Sequence, residues 1–170
     1  FLERNFRNRP IGHLPVAFDP DSLIESFEEK VSDTLTVFYG GSFGEKDGME
    51  YLIAGFEKAS EQIPNIQLHL TGKGSRFDME KLKKLIDISP AADKIINHGF
   101  LPYDEYCRIL GGADILCMTR RDSKFANAGF PYKLGEFLAT GKPVIVSRLG
   151  EITPYLSDDI VSFSPIAFRA

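Results

Sequence analysis

The chain has 170 residues, of which 43% are hydrophobic and 26% charged, a composition typical of one folded globular domain and not of a disordered segment. The net charge of −4 argues against nucleic-acid binding as the main function, because duplex binding depends on basic surfaces. No segment has the pattern of a membrane span or signal peptide, and Cys107 and Cys117 fit no metal-binding spacing, so free buried thiols and a cytoplasmic location are expected.

The first 30 residues are predicted to be an N-terminal tail and interdomain linker. Residues 1–10 show no apolar period, and prolines punctuate residues 11–20. A short amphipathic piece over residues 23–30 follows, as in a connection that enters from an earlier domain. The sequence begins at Phe1 and not at Met, which suggests a fragment. Residues 31–170 are then predicted to form the folded domain.

Strands and helices alternate along this domain. The predicted strands cover residues 34–39, 66–71, 95–98, 115–118, 144–147 and 160–163. The predicted helices cover residues 49–63, 78–88, 104–110 and a short piece that begins near Pro131 and ends before Gly141. Short strands that are apolar on both faces are typical of covered parallel sheets, so we predict an α/β fold with a doubly wound, Rossmann-like sheet of about six strands. A covering helix after the last strand is expected to be missing.

The carboxyl ends of the predicted strands carry glycine-rich or irregular segments. They are Gly40-Gly41-Ser42, Gly72-Lys73-Gly74-Ser75, His98-Gly99-Phe100 and the long loop over residues 119–131. Ligands of doubly wound sheets bind at this edge. The first glycine turn has neither the GxxxxGK[ST] nor the GxGxxG pattern, so phosphate binding there would depend on backbone N–H groups and Lys46. A simple tight turn is the alternative.

The short helix after Pro131 has a lysine, Lys133, in its first turn. A positive charge there opposes the helix dipole by a few tenths of a kcal/mol unless an anion is bound at the helix start. Lys133 therefore indicates a bound phosphate, and Glu136 follows about one turn later, placed to accept hydrogen bonds from sugar hydroxyls. The alternative is a surface lysine and a solvated glutamate on an ordinary amphipathic helix.

The order of these segments, from Tyr39-Gly40-Gly41-Ser42 to the run Gly129–Ser147, resembles the C-terminal, donor-binding domain of retaining GT-B glycosyltransferases of family 4 (glycosyl transferases group 1). The resemblance implies a nucleotide-sugar donor, such as a UDP or GDP sugar, and a role in polysaccharide biosynthesis. It also implies a saccharide or lipid-linked acceptor bound by a preceding domain, with peripheral membrane association of the full-length enzyme left open. No cofactor and no metal are implied, and the isolated chain is expected to bind nucleotide without turnover.

The resemblance assigns roles to individual residues. Glu136 binds the donor ribose, while Lys133 and the helix start at Leu134 face the diphosphate. The remaining assignments are Gly41 and Ser42 beside the phosphates, Phe100 and Leu101 beside the base, and the backbone of Gly129 and Phe130 beside the donor sugar. Gly72, at the end of the second strand, is also predicted to bind the donor.

Two positions depart from the family pattern. Ala128 lies where the first glutamate of a paired-glutamate motif is expected, and Ser42 and Asp47 lie where relatives have a phosphate-binding arginine and lysine. Lys46 is favoured as the substitute charge, which makes Lys46, Lys133 and Glu136 the predicted catalytic residues. The long loop offers Arg120 and Arg121 as the alternative.

Other readings of the chain stay open. A GT-B-type nucleotide-sugar epimerase would share the nucleotide contacts, and a noncatalytic nucleotide-binding module would fit Ala128. For His69 and His98, structural or rim-lining roles are favoured over acid–base catalysis, and His13, near the predicted hinge, has no feature that indicates a role.

Overall fold

A parallel sheet organises the chain. The computed structural model describes Leu23, Phe27, Lys30 and residues 32–150 and 152–163. The strands are β1 (Leu35–Ser42), β2 (Ile66–Lys73), β3 (Ile95–Asn97), β4 (Ile115–Met118), β5 (Val144–Val146) and β6 (Ser162–Phe163). They form a six-stranded sheet in the order β3-β2-β1-β4-β5-β6, and all neighbours pair in parallel. The predicted doubly wound, Rossmann-like fold is confirmed.

Helices cover both faces of this sheet. They are α1 (Met49–Gln62), α2 (Arg76–Asp87), α3 (Tyr103–Gly112) and α4 (Tyr132–Ala139). Successive side chains of a strand point to opposite faces, so Val37 and Tyr39 join the core under α1 and α2, whereas Phe38 joins the core under α3 and α4. Phe38 and Phe137 are fully buried in the second core, and each contributes about 1.5–3 kcal/mol of transfer free energy.

The end of β1 lies beyond the predicted position. The prediction that Gly40-Gly41 closes this strand is wrong, because Gly41 pairs with Gly72 and Ser42 pairs with Lys73. Gly72 has a φ of +145°, and a Cβ there would lie 1.6 Å from the carbonyl oxygen of Gly41. Only glycine fits this close approach, which lets the two strands run on together. The turn that follows β1 is therefore Phe43–Gly48.

Local hydrogen bonds set other element ends. α2 begins at Arg76, before the predicted residue 78, because Ser75 and Asp78 form a capping box. α4 ends as predicted, with Gly141 at a φ of +67°. β6 begins at Ser162 and not at residue 160, because the amides of Ile160 and Val161 donate to the carbonyl oxygen of Ser157 in a turn.

Several predictions concern segments outside the described residues. These are the tail and proline-punctuated stretch over residues 1–22, which includes His13, and the C-terminal residues 164–170. Cys107 and Cys117 are buried and free, as predicted. None of the described helices combines the length and the apolar character that crossing a bilayer requires.

Candidate functional site

A cleft of about 380 Å³ opens at the carboxyl ends of β1 and β2. It is lined by Gly41, Ser42, Thr71, Gly72, Lys73, Phe100, Leu101, Tyr103, Tyr106 and Lys133. The strand order reverses between β1 and β4, and ligands of doubly wound sheets bind beside such a reversal. The structure thus brings together six residues predicted from the sequence, namely Gly41, Ser42, Gly72, Phe100, Leu101 and Lys133.

Lys133 reaches the cleft from the first turn of α4. Its Nζ donates a hydrogen bond to the carbonyl oxygen of Gly40 at 2.6 Å. Burial lowers the pKa of this ammonium, while the nearby carboxylates of Asp47 and Glu136 act in the opposite direction. An ammonium carries three donors, so Lys133 can hold Gly40 and bind an anion in the cleft at the same time.

Glu136 lies directly behind the cleft wall. Only 7% of this residue is exposed, and its Oε2 accepts a hydrogen bond of 2.7 Å from the hydroxyl of Tyr106. Burial raises the pKa of Glu136, while the Tyr106 hydrogen bond and the charge of Lys133 lower it. The carboxylate is therefore partly shielded from solvent but keeps two groups that favour its ionised form.

Tyr106, which no sequence pattern indicates as a site residue, lines the cleft and contacts Glu136. Its ring packs edge-on against Phe38, with centroids 5.7 Å apart. A Cβ on Gly40 would lie 2.7 Å from Cε2 of Tyr106, so the ring occupies the space that a side chain at position 40 would need. Gly40 was interpreted as a turn residue. It lies instead in β1, where the lack of a side chain leaves room for an aromatic ring packed on the strand.

The turn after β1 is braced by a buried carboxylate. Ser42 Oγ donates to Asp47 Oδ2 at 2.6 Å, and Asp47 is only 4% exposed. The hydroxyl of Tyr39 donates to the carbonyl oxygen of Ser42 at 2.8 Å, and Thr119 Oγ1 donates to the carbonyl oxygen of Asp47 at 3.2 Å. Asp47 therefore holds the turn in shape, and its charge offsets part of that of Lys133.

The far wall of the cleft is apolar and exposed. Phe100 is 68% exposed, and Lys73 Nζ lies 4.6 Å from the centre of its ring. Two hydrogen bonds of 2.8 Å, from the amide of Gly72 and from Thr71 Oγ1, end on the carbonyl oxygen of Gly99 and fix this loop against the end of β2. An aromatic face held in this way is suited to stacking against a flat ring.

A family model described as glycosyl transferases group 1 matches residues 34–162. The chain belongs to this family. The sheet order and the helices on both faces match GT-B glycosyltransferase domains. Among curated proteins, none matches the sequence significantly.

Solved structures show the same fold at low sequence identity. The GtfA/B complex is 18% identical with a TM-score of 0.68, and the match covers 85% of this chain and 27% of that one. The C-terminal domain of the group 1 protein LpcC from Francisella tularensis is 15% identical, with a TM-score of 0.63 and coverage of 88% and 76%. Anabaena Alr3699/HepE in complex with UDP and glucose is 14% identical, with a TM-score of 0.61 and coverage of 78% and 34%. The chain thus spans about a third or less of two of these proteins.

The basic residues near the Phe43–Gly48 turn do not all lie at the cleft. Lys46 Nζ lies 5.3 Å from the centre of the Phe125 ring, outside the cleft lining. Beyond the effect of burial, the charges of Arg120 and Lys46 lower the pKa of Lys133, so the three cations are neighbours. Arg121 is instead ion-paired with Glu50 at the start of α1. Phosphate contacts by Lys46 and Arg120 stay predictions.

Three other predicted site residues do not line the cleft. Gly129 is exposed and extended, with a φ of −169°. Phe130 packs edge-on against Tyr155 with centroids 5.9 Å apart, and Leu134 is completely buried in the core. Backbone contacts from these residues to a donor sugar stay predictions. Across the described residues, no group of His, Cys, Asp or Glu side chains is arranged to hold a metal ion.

A second cleft, of about 320 Å³, lies beside α3 on the other side of Leu101. It contains His69 and His98, with His98 Nε2 3.2 Å from His69 Nδ1. His69 Nε2 lies 3.3 Å from Gln67 Oε1, which can only accept, so His69 donates there and accepts from His98. Burial lowers the pKa of both rings, with further lowering of His69 by His98 and of His98 by Arg108. The two histidines thus hydrogen-bond each other at the rim of this second cleft.

Proposed function

We propose that this chain is the donor-binding domain of a glycosyltransferase that transfers a hexose-type sugar from a nucleoside diphosphate sugar to an acceptor with retention of configuration. The observation that carries the proposal is that Lys133, Gly41, Gly72 and Tyr106 line one cleft, with Glu136 hydrogen-bonded to Tyr106 directly behind its wall. Residues 1–30 serve as the linker from an acceptor-binding domain, and the enzyme acts in the cytoplasm in polysaccharide biosynthesis.

The diphosphate is assigned to the end of β1. Lys133 supplies a partly buried ammonium there, and the start of α4 adds its positive dipole end. Lys46 and Arg120 add positive charge nearby. Charge develops on the diphosphate as its bond to the sugar breaks, so these groups stabilise the departing diphosphate and lower the barrier.

The nucleoside is assigned to the other wall. The ribose hydroxyls donate to Glu136, and the base lies against Phe100 and Leu101. The size of the cleft, about 380 Å³, falls within the range of small-molecule sites. UDP in the Anabaena relative, which has the same fold, supports a nucleoside diphosphate as the ligand class.

Retention is proposed to proceed by front-face displacement. Among the described residues that line the cleft, none is an aspartate or glutamate that could attack the sugar. As the bond between the sugar and the diphosphate breaks, the acceptor oxygen forms the new glycosidic bond on the same face of the sugar, and the departing diphosphate oxygen accepts the proton of the acceptor hydroxyl. The acceptor, a saccharide or a lipid-linked glycan, binds on the preceding domain.

Titration of the purified chain with UDP, GDP and ADP by calorimetry tests this proposal. At least one of them should bind wild type, and Glu136→Ala should weaken that binding about 10- to 100-fold, because a charged hydrogen-bond acceptor is lost. His98→Gln, in the second cleft, serves as the control and should bind like wild type. No binding at millimolar ligand, or equal binding by wild type and Glu136→Ala, would contradict the assignment.

A noncatalytic nucleotide-binding module is the second candidate function. Ala128 favours it, because a carboxylate is expected at this position in the family that the sequence resembles. Incubation of the whole protein with a nucleoside diphosphate sugar and an acceptor glycan distinguishes the candidate functions. Sugar transfer supports the enzyme, epimer formation supports an epimerase, and nucleotide binding with neither product supports the module.

A further inference from the structure

Tyr106 connects the cleft to Glu136. Among the described residues that line the cleft, it is the one whose side chain hydrogen-bonds the Glu136 carboxylate. Burial, followed by the charge of Glu136, raises the pKa of the Tyr106 hydroxyl well above its usual range. The hydroxyl therefore stays protonated and acts as a donor, so Glu136 Oε2 is already occupied before any ligand binds.

The ring of Tyr106 also touches β1, the strand whose carbonyl oxygen at Gly40 accepts the hydrogen bond from Lys133. A side chain on Gly40 would clash with the ring at 2.7 Å, and the carbonyl oxygen of the same glycine accepts the hydrogen bond from Lys133. Gly40 thus contacts both the lysine and the tyrosine. Lys133 and Glu136 lie on the same helix, α4, and their hydrogen bonds to Gly40 and Tyr106 hold the two side chains against β1 and α3.

We propose that Tyr106 is a positioning residue of the donor site: its hydroxyl holds Oε2 of Glu136 and leaves Oε1 to accept the ribose hydroxyls. This inference rests on the proposed function. A carboxylate has lone pairs on two oxygens, and both ribose hydroxyls are donors, so a carboxylate fixed on one side presents a defined acceptor edge to the sugar. Without the tyrosine hydroxyl, the side chain of Glu136 can rotate and the acceptor edge is no longer fixed.

Tyr106→Phe removes the hydroxyl and keeps the ring that packs on Phe38 and Gly40. The probes are the tightest-binding of UDP, GDP and ADP, its 2′,3′-dideoxy analogue, and pyrophosphate. The variant should bind the ribonucleotide about tenfold more weakly, and the dideoxy analogue and pyrophosphate as wild type does. Equal weakening for all three probes would show a general packing defect and overturn the inference.

A double-mutant cycle separates positioning from an independent contact. Because Tyr106 acts through Glu136, the Tyr106→Phe/Glu136→Ala variant should bind the ribonucleotide no more weakly than Glu136→Ala alone. Additive losses would overturn the inference. Failure of wild type to bind any of the three nucleotides would instead refute the proposed function, so the two failures are distinguishable.

The pH dependence of ribonucleotide binding gives a second readout. The Tyr106 hydrogen bond lowers the pKa of Glu136 against the effect of burial, so its loss raises that pKa further. Binding should then begin to fall at a higher pH in Tyr106→Phe than in wild type as the solution is acidified. Lys133, Tyr103 and Cys107 also face this carboxylate and are unchanged in the variant. Identical pH profiles would contradict the role given to Tyr106.

Discussion

The two clefts on either side of Leu101 are similar in size but differ in how their polar groups are used. Lys133 in the first cleft and Glu136 directly behind its wall each have a protein partner and retain further hydrogen-bonding capacity. In the second, His69 and His98 bond to each other, and the remaining ring nitrogen of His69 bonds to Gln67.

This difference identifies the binding site better than cleft size does. Half-buried polar groups that bond to each other, as His69 and His98 do, indicate a structural role, whereas a half-buried cation with unused donors, as Lys133 has, favours an anionic ligand. The first cleft also lies at the reversal of strand order, where the fold leaves a crevice. The predictions below change one cleft at a time.

The largest effect is expected from Lys133→Met. Loss of the ammonium should weaken nucleoside diphosphate binding by about 1.5–3 kcal/mol, because charged hydrogen bonds to the phosphates disappear. Lys142→Met is the matched control, since Lys142 Nζ also donates to backbone carbonyls, those of Gly111 and Ala113, but lies away from the cleft. Calorimetric titration measures both. Equal affinity losses in the two variants would show that Lys133 makes no specific contribution to nucleotide binding.

A somewhat smaller effect is expected from Gly40→Ala. The added methyl group meets Tyr106 at 2.7 Å and Phe38 at 2.9 Å, and overpacking of this kind lowers the free energy of unfolding by about 1–3 kcal/mol. Gly55→Ala is the control, because no atom lies within 4 Å of a Cβ there and alanine favours the helix. Urea denaturation compares the variants. A Gly40→Ala protein as stable as wild type would show that Tyr106 moves aside without cost.

The smallest effect is expected from the histidine pair. Both rings have lowered pKa values in the folded chain, so the unfolded chain takes up protons first as the pH falls below about 6.5, and stability declines in that range. His98→Gln removes one titrating ring and should reduce this acid sensitivity while leaving nucleotide binding unchanged. Denaturation midpoints between neutral and mildly acidic pH test it. If the stability of His98→Gln fell with pH as steeply as that of wild type, the histidine pair would not be the source of the acid sensitivity.

The fold and part of the site were predictable because they depend on local sequence pattern. β4 occupies the predicted residues, and Lys133 lies at the cleft as its place in the first helical turn indicates. The continuation of β1 was not predictable from Gly40-Gly41, because it depends on pairing with Gly72 in β2, a strand that lies much later in the chain.

Tyr106 and the structural role of Asp47 were not predicted, for a related reason. In the sequence, nothing distinguishes Tyr106 from other residues of its predicted helix. Its contact with Glu136 joins residues far apart in the chain. Asp47 stands beside Lys46 in a polar stretch, so the sequence gives no sign that its carboxylate is buried against Ser42. Burial and partners of single polar residues are set by tertiary packing, which local sequence patterns do not reveal.

The most direct test of the account is to map nucleotide binding by backbone amide NMR of the chain. With UDP, GDP and ADP added separately, the account predicts that at least one shifts the amides of Gly41, Gly72 and Lys133 and leaves those of His69 and His98 in place. Shifts centred on the two histidines, or no shifts at millimolar nucleotide, would contradict it.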